Sequence, residues 1–140
     1  MYQRILVALE NGAADEALVP HVAQLATRLG SELLLIHVAD GWVARNFQAL
    51  KLAESEEMRA DREYLDSIAA TLASQGLKAR PLLAMGDPAT EILKAADAEG
   101  CDLIAMATHG HRFIGDLVHG STISEVRHKA AMPVLLVRGN

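Results

Sequence analysis

A chain of 140 residues, 51% hydrophobic and 22% charged, is long enough for one domain with its own core and too apolar for a disordered segment. Its net charge of −5 argues against a general nucleic-acid or anionic-membrane surface, while leaving room for a local cationic pocket. With Cys101 as its single cysteine it forms no intrachain disulfide. No apolar stretch reaches the roughly 20 residues that span a bilayer, and Met1-Tyr2-Gln3-Arg4 lacks the usual signal-peptide design. The expectation is one domain over 1–140, cytoplasmic, with neither nucleic acid nor membrane as partner.

Ile5-Leu6-Val7-Ala8-Leu9 is a continuous apolar run, as expected of a strand covered on both faces. From Ala14 to Leu29, Leu18, Val22, Leu25, Ala26 and Leu29 share one helical face, and Gly30 supplies a stop. Pro20 inside this pattern predicts a kink or a late helix start. Leu33 to Val38 reads as the second strand. Beyond Asp40-Gly41, a long helix carries Met58, Leu65, Ile68 and Leu72 and stops near Gly76. Lys78 to Ala84 is a third strand, which Pro81 assigns to a sheet edge. Gly86-Asp87-Pro88 turns into a helix with Ile92, Leu93 and Ala96 facing inward. Asp102 to Ala107 is the fourth strand. Gly120 to Ala131 is the last helix, using Ile123, Val126 and Ala130, and Pro133 to Val137 is the fifth strand.

Such alternation predicts a doubly wound, Rossmann-like α/β domain: a five-stranded parallel sheet with helices on both faces. Ligands of these sheets bind beyond the carboxyl ends of the strands, where strand order reverses. Two loops stand out there. Glu10-Asn11-Gly12 follows the first strand. After the fourth, Gly110 is followed by nine residues and then Gly120-Ser121 at the expected helix start. Glycines admit close backbone approach, a helix start offers free N–H groups, and a serine hydroxyl adds a donor, so the pattern points to phosphate. The Walker lysine is absent, and the spacing is not that of the dinucleotide fingerprint.

Over nearly the whole chain these motifs resemble the universal stress protein family. The resemblance is carried by Ile5 to Ala8, Leu34 to Val38, Gly86-Asp87-Pro88 with Glu91-Ile92, and Asp102 to Met106. It continues through His109-Gly110, Gly120-Ser121 and Pro133 to Val137. The resemblance implies strand order 3-2-1-4-5 and a homodimer. It also implies an ATP-binding stress-response protein, with AMP or ADP as related ligands and Mg2+ or Mn2+ held only by the nucleotide phosphates. By position, the base would meet Ala8, Leu9 and Val38, with Glu10 towards the ribose. Phosphates would lie on Ala107, Gly110, Gly120, Ser121 and Thr122, with His109, His111 and Arg112 beside them. Nucleotide-binding members carry Gly-x-x-Gly before the nine-residue spacer; here Ala107 replaces the first glycine and Glu10 replaces the usual aspartate.

Two other readings follow from the same residues. A dimeric adaptor of this fold would have a pocket spoiled by Ala107 and Glu10. A slow ATPase would use Glu10 to orient water and Arg112 to stabilise a leaving group, although the signal for binding exceeds that for chemistry. His109, His111, His119 and His128 invite a metal site, yet no cysteine lies among them and a dedicated one is not expected. The apolar last strand would lie at a sheet edge, so pairing of Val134, Leu135, Leu136 and Val137 with a second copy is expected. A regulatory protein partner is expected too, of unassigned identity.

Overall fold

The computed structural model describes residues 1–39, 51–109 and 117–139, with side chains from 56 in the second of these stretches and from 120 in the third. The elements alternate: β1 (Arg4–Ala8), α1 (Asp15–Leu29), β2 (Glu32–Ala39), α2 (Lys51–Ser74), β3 (Ala79–Met85), α3 (Pro88–Ala98), β4 (Leu103–Thr108), α4 (Leu117–Lys129) and β5 (Val134–Arg138). The strands form one parallel sheet in the order β3-β2-β1-β4-β5. No described helix is long and apolar enough to cross a membrane.

Successive side chains of a strand point to opposite faces, so the apolar run of β1 serves two cores. Ile5, Val7 and Leu9 join Leu18, Val22 and Ala26 of α1 and Leu65 and Leu72 of α2. Leu6 and Ala8 join Ile92 and Ala96 of α3 and Val126 of α4. A strand so enclosed has no face left for polar residues. Register locks β1 between its neighbours, with Val7 opposite Leu35 on one side and Ala105 on the other.

Two helix starts differ from the sequence expectation. α1 does not wait for Pro20: it begins at Asp15 and carries the proline on its exposed side. A proline there forgoes one intrahelical hydrogen bond, and the buried Leu18, Val22 and Ala26 hold the helix in place around it. The C-terminal stop is as read: Gly30 adopts φ 70°, and the Ser31 amide reaches back to the Ala26 carbonyl at 3.0 Å. α4 begins at Leu117, three residues before Gly120, since nothing in Leu117-Val118-His119 interrupts a helix. The amides without intrahelical partners therefore fall over residues 117–120, and Gly120 sits inside the first turn.

Pro81 is exposed on β3, at one edge of the sheet, where its missing N–H breaks no ladder. β5 forms the other edge. Beyond it Gly139 passes so close to the start of α1 that a Cβ there would stand 3.1 Å from that of Ala14, and its amide donates to Thr108 O at 2.8 Å. Glycine is required by that approach, which brings the end of the chain beside the loops above β1 and β4.

Candidate functional site

β1 lies between β2 and β4, and the connections from β1 and β4 leave in opposite directions, so the sheet parts above their carboxyl ends. A cleft of about 540 Å³, mouth included, occupies this place. Its floor is Ala8 at the end of β1 and Leu9 just after it, Ile36, His37 and Val38 from β2, and Met106 and Ala107 from β4. Pro88 and Ile92 of α3 wall one side, Thr122 of α4 closes another, and Glu10 stands at the lip. An apolar interior with a few converging polar groups is the usual make-up of a small-molecule site. A shallower groove shares Pro88 and Thr122 and runs on past Ser121 and His128.

Of the residues singled out in the sequence, Ala8, Leu9, Glu10, Val38, Ala107 and Thr122 line this one cleft. Ser121 lines the adjoining groove, and Gly120 is exposed one residue before it. His109 meets Glu10: its Nε2 lies 2.9 and 3.2 Å from the two carboxylate oxygens, joining the loops after β1 and β4 across 99 residues of sequence. Gly110, His111 and Arg112 lie outside the described residues.

Ala107 is compatible with the site. It is part of β4, and outside the glycines the described residues with positive φ are Tyr2 and Asn11. Its methyl therefore imposes no backbone strain and adds to the apolar floor.

The turn that presents Leu9 and Glu10 is held in part by Asp15 and Tyr64, which the sequence reading did not single out. Asp15, 3% exposed, accepts hydrogen bonds from the Glu10 amide at 3.0 Å and the Asn11 amide at 2.9 Å. The Tyr64 hydroxyl donates to the same carboxylate at 2.5 Å; burial, together with that anion, drives the phenol well above its ordinary pKa. His37 Nδ1 lies 2.9 Å from the Leu9 carbonyl oxygen, which can only accept, so Nδ1 carries the proton. Pro88 and Ile92 owe their place to Asp87, whose carboxylate caps α3 through the Thr90 amide at 3.0 Å and hydroxyl at 2.7 Å. Those two bonds lower the Asp87 pKa. Cys101 is buried at the far end of the sheet, and burial pushes its thiol up to about 11, so it is no nucleophile for the cleft.

A parallel sheet in the order 3-2-1-4-5 with an apolar cleft at its switch point defines the class: a doubly wound α/β protein with a ligand-sized cleft above its strands. The universal stress protein family model matches residues 1–138, and the chain belongs to that family. It is 27% identical to universal stress protein MJ0577 of Methanocaldococcus jannaschii, covering 99% of this chain and 96% of that one. It is 24% identical to universal stress protein YxiE of Bacillus subtilis, over 99% and 100% of the two chains. The solved structure of MJ0577 superposes with a TM-score of 0.87 over 100% of this chain and 98% of that one. The universal stress protein of Archaeoglobus fulgidus in complex with dAMP shares the fold, with a TM-score of 0.72 at 21% identity over 97% and 98% of the chains.

Proposed function

We propose that this chain is a cytoplasmic regulatory protein of the stress response that binds an adenine nucleotide: ATP, or its relatives ADP and AMP. The cleft over β1, β2 and β4 carries the reading. Its floor from Ala8, Ile36, Val38 and Met106 suits the faces of a base. Glu10 stands where ribose hydroxyls would donate to it, with His109 holding the carboxylate. Phosphates would run towards the N-terminal turn of α4, past the Ser121 and Thr122 hydroxyls, with His111 and Arg112 as basic partners. Mg2+ or Mn2+ would enter with the phosphate oxygens. Family structures in complex with dAMP and with cAMP support the choice of ligand class.

The reading is one of binding and signalling rather than turnover. Nucleotide would change the surface offered to a protein partner. β5 would pair with the same strand of a second copy through Val134 to Val137. Isothermal titration of Mg-ATP, with AMP alongside, tests the reading. Saturable heat is expected; its absence, with no nucleotide released on denaturation, would leave an adaptor whose function lies on its outer surface.

A further inference from the structure

In the segment Leu9–Asn11, which supplies both the floor and the lip of the cleft, the Leu9 amide bonds the Ile36 carbonyl at 2.8 Å, and two side chains of α2 reach the rest of the turn. Asp61 and Tyr64 are three residues apart on that helix and so share a face. Asp61 uses its two oxygens separately. Oδ1 accepts from Asn11 Nδ2 at 3.0 Å, and Oδ2 lies 3.5 Å from Nε2 of His37, whose other nitrogen donates to the Leu9 carbonyl. Tyr64 bonds Asp15, which in turn accepts the Glu10 and Asn11 amides. Asn11 has φ 59°, a left-handed conformation uncommon outside glycine, and its amide and side chain are both held in this network.

From this arrangement we infer that Asp61 and Tyr64 of α2, acting through Asn11 and Asp15, are positioning residues for the ligand cleft. They set where the Leu9 backbone and the Glu10 carboxylate stand, and they make α2 the element through which the site can be tightened or loosened. The inference rests on the nucleotide reading for the identity of the ligand, but the clamp itself is a property of the free protein. Linkage makes the effect reciprocal: a ligand seated on Leu9 and Glu10 must favour the α2 position that holds them.

The clamp is tested on the full-length chain with Tyr64→Phe and Asp61→Asn, conservative in shape, and with Asp66→Asn as an exposed control on the same helix. In the absence of ligand, amide exchange by NMR is expected to rise about tenfold at Glu10 and Asn11 in Tyr64→Phe, the scale of one charge-assisted hydrogen bond. The amides of β4 and the Asp66→Asn protein should stay as in wild type. Mg-ATP affinity should fall about tenfold in both clamp variants and not in the control, one hydrogen bond's worth of positioning. Unchanged Glu10 and Asn11 amides would overturn the clamp. Loosened amides with unchanged affinity would overturn its role in positioning the site. No nucleotide heat from wild type would instead overturn the nucleotide reading, with the loosened amides still supporting the clamp.

Discussion

Glycine inside a helix costs about 0.5–1 kcal/mol relative to alanine, and at Gly120 no described neighbour requires it. A Cβ built there meets nothing within 4 Å, and Gly120 is not among the positive-φ glycines. Among the described residues folding alone would favour alanine, and on the proposed reading the glycine admits a close phosphate. Gly120→Ala is therefore expected to raise thermal stability by about 0.5–1 kcal/mol while weakening nucleotide binding. Calorimetric melting and titration of the same sample check both halves; a variant neither more stable nor weaker in binding would remove the significance of this glycine. Ala107 is the reverse case. The missing glycine invited the worry that its methyl blocks the phosphate path, but in β4 the methyl belongs to the floor of the cleft.

At the scale of elements, the wall formed by α3 depends on its cap. Replacing Asp87 by alanine is expected to cost about 1 kcal/mol at neutral pH. Because the folded pKa of Asp87 lies below its ordinary 3.8, its contribution is fully present above that value and is lost as pH falls through the folded pKa. Denaturant melts at pH 7 and pH ~2.5 should thus show a gap between wild type and Asp87→Ala that closes in acid. A gap independent of pH would mean that the carboxylate is not the capping group. The turn into α3 was legible from Gly86-Asp87-Pro88, as were the strands, because each is written in local periodicity or turn chemistry, whereas the Asp87 cap itself was not read. The start of α4 was not, since Gly120 resembles a boundary while Leu117-Val118-His119 carries no breaker. The polar network around Asp15 was also hidden: Asp15 and Tyr64 are 49 residues apart, and only the packing of α2 onto the sheet brings them together. Glu10 was singled out for its position after β1, but nothing in the sequence pairs it with His109.

At the scale of the molecule, the two sheet edges are treated differently. β3 carries Pro81 and exposes Arg80, which discourage a further strand. β5 carries Val134 to Val137, with Leu136 36% exposed, and presents an apolar ladder. Sedimentation is expected to give a dimer at micromolar concentration and a monomer for Leu136→Lys; a monomeric wild type would contradict pairing through β5. The cleft and this edge lie on opposite sides of β4, so ligand and partner can engage the same sheet at once. The central claim remains that the cleft between β1 and β4 holds a nucleotide with its phosphates against α4. Isothermal titration of Mg-ATP into wild type and Gly120→Val tests it most directly. Saturable binding that the variant loses while remaining folded is the predicted result; equal binding by both proteins, or none by wild type, would contradict it.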